Sequence, residues 1–210
     1  MYAMKGRIII AMVVSLMCFY LFVPMAFAQN ASLDVDPPTA TIDIDQELTV
    51  SITVSDMPDP GLFSYQLELH FDPDYLNATS AEIPDGHFLT PTSGVPPGIF
   101  VVLPGVINNT AGTVSFAVTL LAPEEGKTGS GVLGTVTFSG KAEGVASLTL
   151  EEVVLADPEA QAIPEETYDI NDGEITVIPE FSAVAMMLLL LAFTGVILLL
   201  KKKDLLVTKV

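Results

Sequence analysis

Tryptophan is absent from this sequence, cysteine occurs once, and positive charge is scarce: eight Lys and Arg stand against 26 Asp and Glu. The single cysteine, Cys18, lies in an apolar run near the start. The rest of the chain has neither thiol nor disulfide, so cysteine catalysis, thiolate zinc sites and thioredoxin chemistry are excluded. Cys18 comes after Leu16-Met17, which is not the small-residue context of a bacterial lipoprotein site. Between Gln29 and Glu180 the only basic side chains are Lys127 and Lys141, while nearly all the carboxylates lie there. Nucleic acid is excluded as a partner, because phosphate binding needs clustered Lys and Arg. The acidity suits a soluble, solvated surface, a salty exterior or divalent cations. His70 and His87 are the only histidines, and neither H-E-x-x-H nor G-x-S-x-G occurs. A glycosidase would need one carboxylic acid raised in pKa inside a cleft, whereas the acids here fall mainly in turns and strand ends. No enzyme is expected.

The two ends differ from the middle. Lys5 and Arg7 precede an apolar run from Ile8 to Ala28 that closes on Ala26-Phe27-Ala28. A positive start, an apolar stretch and small residues at the minus-three and minus-one positions read as a secretory signal over residues 1–28, cut after Ala28. Near the other end, Ala183 to Leu200 carries no charge. Such a segment rises roughly 27 Å as a helix, close to the hydrocarbon thickness of a bilayer. Lys201, Lys202 and Lys203 come directly after it, the mark of a cytoplasmic end, which leaves 204–210 as a cytoplasmic tail. Residues 29–178 are then one extracellular domain of about 150 residues, anchored at the cell surface.

Within that domain helical periodicity is nearly absent and period-two alternation is common. "LTVSITVS" sets Leu48, Val50, Ile52 and Val54 on one face; "FSYQLELHF" sets Phe63, Tyr65, Leu67, Leu69 and Phe71 inward. "TVSFAVTL" and "VTF" repeat the pattern with Val114, Phe116, Val118, Leu120, Val136 and Phe138. These are half-buried antiparallel strands. Turn signals such as Asp59-Pro60-Gly61, Pro96-Pro97-Gly98, Gly129 to Gly131 and Asn171-Asp172-Gly173 punctuate them. The expectation is an all-β domain of roughly nine strands, at 40–45, 47–55, 62–71, 76–83, 99–107, 112–122, 131–142, 146–155 and 166–178, in a jelly-roll β-sandwich.

Several of these stretches, taken in order, resemble the cohesin domain, the receptor module of cellulosome scaffolds. Gly61-Leu62 leads a strand into "HFDPDYLNATS"; "GSGVLGTVTFSGKAEGVASLTLEEVVLAD" resembles the family's small-residue and F-x-x-K-A run; "YDINDGEITV" resembles its closing strand. The resemblance covers about residues 33–178 and implies a nine-stranded jelly roll related to some cellulose-binding modules. It further implies binding of a dockerin through one sheet face, partly through the outward side of the strand before Asp72-Pro73. Those outward residues are Ser64, Gln66, Glu68 and His70. Where scaffold cohesins often carry an Asn-x-Asp pair, this chain has Ser64 and Gln66, which still donate and accept hydrogen bonds. An ordinary wet strand face explains the same four residues.

Pro179-Glu180-Phe181, the apolar segment and the lysines together resemble the PEF-CTERM sorting signal of archaeal surface proteins, over residues 179–203. The resemblance implies an archaeal source, an archaeosortase that cuts near the motif, and transfer to a lipid anchor. A plain transmembrane stalk has the same apolar length and the same lysines.

No resident cofactor is expected. "DINDGE" is one residue out of register for an EF-hand, since Gly173 falls at position five and Glu174 at six. Asp34, Asp36, Asp43, Asp45, Asp72 and Asp74 are the oxygen donors that a nonclassical calcium site would draw on. Asn30, Asn77 and Asn108 open N-x-Ser/Thr triplets, the acceptor pattern for N-glycosylation in an exported chain. The function expected is a non-catalytic surface module that recruits a dockerin-like protein. A carbohydrate-binding module tied to polysaccharide degradation and a structural surface-layer component are the alternatives. Sugar binders usually present planar aromatic rings, and the lack of Trp favours a protein partner.

Overall fold

The computed structural model describes residues 30–92, 99–180, 187–188 and 190–197. Ala28, Phe181 and the N-terminal apolar run lie outside the described residues. So does much of the expected membrane segment, whose residues 187–188 and 190–197 are helical and mostly exposed. Among the described residues no helix is long and apolar enough to cross a membrane.

Eleven strands are described: β1 (Ala31–Asp36), β2 (Thr39–Asp43), β3 (Glu47–Leu62), β4 (Ser64–Phe71), β5 (Leu76–Glu82), β6 (Ile99–Asn108), β7 (Thr113–Leu120), β8 (Lys127–Gly140), β9 (Gly144–Ala156), β10 (Tyr168–Asn171) and β11 (Gly173–Ile178). They form two sheets, one of five strands in the order β10-β1-β3-β8-β5 and one of six in the order β2-β11-β9-β4-β7-β6. Pairing is antiparallel except for β1 with β10 and β2 with β11. The architecture is the expected all-β sandwich.

The strand count is corrected from nine to eleven, for two reasons. β1 was not expected, although Ala31, Leu33 and Val35 alternate inward along it. The segment 166–178 is two strands, because Asp172 carries the chain from one sheet to the other rather than forming a turn within one strand. Pro37-Pro38 does the same between β1 and β2. Two expected turns also fall inside strands. Asp59-Pro60-Gly61 lies in β3 and Gly129 to Gly131 in β8, where the β3–β8 pairing shifts register around Met57. Asp56 at φ 52° and Gly129 at φ 95° take up the kinks, as bulged ladders require.

The core fills the space between the sheets. Val50, Ile52, Leu67, Leu69, Val114, Phe116, Leu133, Val136 and Phe138 are buried completely or nearly so. Phe71 of one sheet meets Phe138 of the other edge to face, with ring centroids 5.1 Å apart. Phe116 lies so close to Gly134 that a Cβ there would stand 2.8 Å from its ring. Tyr65 is buried but satisfied, its hydroxyl donating to the carbonyl of Leu133 at 2.7 Å. Leu48 and Phe63, expected on the inward faces, are only half-buried at strand ends.

Candidate functional site

Alternation sends the odd-numbered residues of β4 into the core and turns Ser64, Gln66, Glu68 and His70 outward. β4 is an inner strand of the six-stranded sheet, so these four residues have neighbours on both sides. Across β7 they face Thr119, Ala117, Ser115 and Thr113; across β9, Ala156, Val154, Glu151 and Thr149. All four expected face residues therefore share one surface, in the middle of the wider sheet.

That surface has two unlike halves. Around Ser64 and Gln66 lies a shallow notch of about 250 Å³ lined by Val102, Ala117, Thr119 and Val154. Val102 and Val154 are 55% and 53% exposed. Around Glu68 and His70 the surface is polar. His70 Nε2 lies 2.9 Å from Glu68 Oε1 and 3.7 Å from Glu151 Oε2, but not in hydrogen-bond alignment. Glu68 Oε2 accepts from the Ser115 hydroxyl at 2.7 Å, and Glu151 Oε1 accepts from Thr149 at 3.5 Å.

The valines were not among the expected site residues, and two bulges explain why. On β9 an extra residue lies opposite the Gln66–Glu68 step, with Glu152 at φ 49°. The bulge reverses the alternation: Leu148 and Leu150 point inward before it, Leu155 after it, and Val154 is turned out. On β6 the pairing slips between Val101 and Leu103, which leaves Val102 as the extra residue. Alternation alone would have buried Val154. The sequence signal was the run Glu151-Glu152-Val153-Val154-Leu155, which obeys no single period.

The outward face of the five-stranded sheet is different in kind. Its hydroxyls and carboxylates satisfy one another. Asp34 accepts from Ser32 at 2.8 Å, from Ser55 at 3.3 Å and from Asn171 at 2.6 Å. Thr49 and Thr137 share a hydrogen bond of 2.8 Å, and Thr79 reaches Glu47 at 3.2 Å.

The six aspartates named for calcium do not converge. Asp34 is engaged as above, and Asp72 Oδ1 accepts the backbone N–H of Asp74 at 2.9 Å in a local turn. Among the described residues no group of three or more His, Cys, Asp or Glu is placed to hold a metal. The three sequon asparagines are exposed. Asn77 lies on β5, and Asn108 ends β6, with Oδ1 accepting from the backbone N–H groups of Thr110 and Ala111 at 3.1 Å each. Pro179 and Glu180 are exposed just beyond β11. His87, outside this face, is half-buried, and burial lowers its pKa below the ordinary imidazole value. Both lysines of the domain are in use. Lys127 donates to Thr92 Oγ1 at 2.6 Å and lies 3.5 Å from Glu124; Lys141 donates to the Pro73 carbonyl at 2.6 Å.

Comparison with known proteins gives one family. The cohesin domain family matches residues 32–177. Among solved structures, a type I OlpA cohesin–Doc918 dockerin complex from Clostridium thermocellum superposes with a TM-score of 0.54 at 11% identity, covering 71% of this chain and 100% of that one. The third ScaC cohesin of Acetivibrio cellulolyticus, solved with a ScaB dockerin, gives 0.55 at 18% identity, covering 70% and 99%. A non-cellulosomal cohesin from the hyperthermophilic archaeon Archaeoglobus fulgidus gives 0.54 at 11% identity, covering 75% and 98%. At these identities the likeness is one of fold. No curated protein sequence matches the chain.

Proposed function

The chain belongs to the cohesin domain family, and from that premise we propose that the outward face of its six-stranded sheet docks a protein partner of the dockerin kind. As a cohesin domain it is a non-catalytic binding module and not an enzyme. The observation that carries the docking face is the contrast between the two sheets. One exposes Val102 and Val154 on either side of Gln66 and Ala117, whereas the other presents hydroxyls and carboxylates that pair among themselves. Exposed apolar side chains within a polar surround are the anatomy of a protein interface. Ser64 and Gln66 add donors and acceptors where the resemblance to scaffold cohesins expects Asn and Asp.

The polysaccharide alternative has less support. Every aromatic ring of the sandwich whose side chain is described is buried or half-buried, so among the described side chains no flat exposed ring offers itself to stack on a sugar.

The same reading sets the domain outside the cell, at an archaeal envelope. Its support is in the sequence: the signal ending at Ala28, the Pro179-Glu180-Phe181 motif, the apolar segment and the lysines. An archaeosortase would process that tail and pass the protein to a lipid, or the segment would remain in the membrane. Asn77 and Asn108 are the better glycan acceptors, since Asn30 abuts the expected new terminus.

The test of docking is capture of dockerin-bearing proteins from the source organism by the full-length chain. Val154→Glu should abolish capture while leaving the fold intact, and Ser80→Glu, on the other sheet, should leave capture unchanged. Equal capture by both variants would remove the face from the reading.

A further inference from the structure

We propose that Asn108 is the N-glycan acceptor of this domain and that the fold withholds Asn77. The proposal rests on the reading that the domain is exported, and it decides between two triplets which that reading leaves equal. Asn77 and Asn108 are both exposed, and each has a threonine two residues on. They differ in what the fold does with the triplet. Asn77-Ala78-Thr79 lies within β5, where Asn77 pairs with Ser139 of β8. The N–H and the carbonyl of Ala78 are both taken by the carboxamide of Asn109, at 2.8 and 2.9 Å. The Thr79 hydroxyl lies 3.2 Å from Glu47 Oε1 and 3.3 Å from the Thr137 carbonyl. A transferase reading N-x-Thr would have to break these bonds and lift a strand out of its sheet.

Asn108-Asn109-Thr110 instead opens the turn from β6 to β7, and all three residues are exposed. A surface loop is where such an acceptor is read. The turn is held firmly, with the Gly112 N–H on the Asn108 carbonyl and the Phe71 N–H on the Gly112 carbonyl, both at 2.8 Å. It is closed through Asn108 Oδ1, which accepts from the N–H groups of Thr110 and Ala111 at 3.1 Å each, and not through Nδ2. Two donors on Oδ1 draw the amide electron pair toward the carbonyl, which makes the Nδ2 protons more acidic. In the transfer Nδ2 attacks the anomeric carbon of a sugar activated as a phosphate ester. The bond from Nδ2 to that carbon forms, its bond to the phosphate oxygen breaks, and the phosphate leaves with the electron pair. The displaced Nδ2 proton passes to a base of the transferase. The glycan would then stand on β6, an edge strand of the six-stranded sheet, where it keeps a foreign strand from pairing. Asn108 pairs with Thr113, and Thr113 with His70. The notch beside Ser64 lies six residues back along β4, roughly 20 Å away, so the sugar leaves it open.

The test is mass spectrometry of the full chain recovered from the surface of source-organism cells, on peptides that separate Asn77 from Asn108. Wild type should carry sugar mass at Asn108 and none at Asn77. Asn108→Gln and Thr110→Val should each lose it, and Thr110→Ser should keep it. Asn109→Ala preserves the Asn108 triplet but releases Ala78, so in that variant sugar should appear at Asn77 as well. A bare Asn108, equal occupancy of the two sites in wild type, or an Asn77 still bare in Asn109→Ala would overturn the proposal. The N-terminal peptide of the same sample keeps the two readings apart. A bare Asn108 in chains that begin at Gln29 refutes the acceptor assignment and leaves export standing. Chains that retain residues 1–28 refute export, and the assignment with it.

Discussion

The carboxamide of Asn109 pairs with the backbone of Ala78 as a neighbouring strand would: Nδ2 donates to the Ala78 carbonyl at 2.9 Å, and Oδ1 accepts from the Ala78 N–H at 2.8 Å. Ala78 is in β5, the edge of the five-stranded sheet, and Asn109 comes just after β6 of the other sheet. One side chain thus closes a gap between the sheets and satisfies an edge that would otherwise be open to pairing. Asn109→Ala should cost about 1–3 kcal/mol, since two part-buried backbone groups lose their partners. Denaturant unfolding measures the loss, and faster hydrogen exchange at Ala78 localises it. Unchanged exchange at Ala78 would show that the edge is held by other means.

The inter-sheet aromatic pair yields a second expectation. Phe71→Ala and Phe138→Ala should each cost roughly 3–5 kcal/mol, because each empties a buried ring volume. Gly134→Ala works in the opposite sense. Its new methyl would press on Phe116, with an overpacking cost of about 1–3 kcal/mol. Melting of the three variants against wild type decides the matter; a loss below about 1 kcal/mol for either Phe variant would mean that the faces are assigned wrongly.

How far the fold could be read from the sequence depends on what alternation reports. Period two says which face of a strand is buried, not which sheet the strand joins. The face residues of β4 were therefore legible, and so was the core set running through Phe116 and Phe138. The sheet changes were not, although each leaves a trace. Ala31, Leu33 and Val35 are buried at odd positions, whereas Ile42, beyond Pro37-Pro38, is buried at an even one. Tyr168 is buried at an even position, and Ile175 and Val177, beyond Asp172, at odd ones. A switch of parity marks a bulge or a crossing between sheets. The same switch within β9 exposes Val154, so half of the candidate site depended on a backbone irregularity.

Tyr65 supplies a prediction in pH. Burial pushes its hydroxyl well above the ordinary tyrosine pKa, and burial with the nearby Glu165 raises Tyr168 as well. A folded pKa above the unfolded value means that above about pH 10 the unfolded chain gives up a proton that the folded chain keeps. The contribution is complete below pH 10 and is lost as pH rises beyond it. Wild-type stability should therefore fall on the alkaline side, and Tyr65→Phe should flatten that fall. At neutral pH the same variant should lose about 1–3 kcal/mol, because the Leu133 carbonyl is left without its donor. Denaturant midpoints at pH 8 and pH 11 separate the two effects. Equal alkaline slopes in wild type and variant would exclude Tyr65 as their source.

The last prediction concerns the tail. The ladder of β11 ends at Ile178, opposite Asp43, and Pro179 has no N–H with which to continue it. Pro179 and Glu180 therefore emerge exposed where the sandwich stops, accessible to an enzyme that reads the motif. A plain stalk needs only apolar length and lysines, so Glu180→Ala should leave such a stalk unchanged, and the sandwich with it. A processing enzyme would respond to the missing carboxylate. The measurement is mass spectrometry of C-terminal peptides from native cell-surface material. Processing predicts that peptides beyond Phe181 are absent from the wild-type protein and accumulate in Glu180→Ala and Phe181→Ala. Full recovery of the "DLLVTKV" end from wild type would instead show that Ala183 to Leu200 is retained. The docking face would be unaffected by that result, because its side chains belong to strands that end before the motif begins.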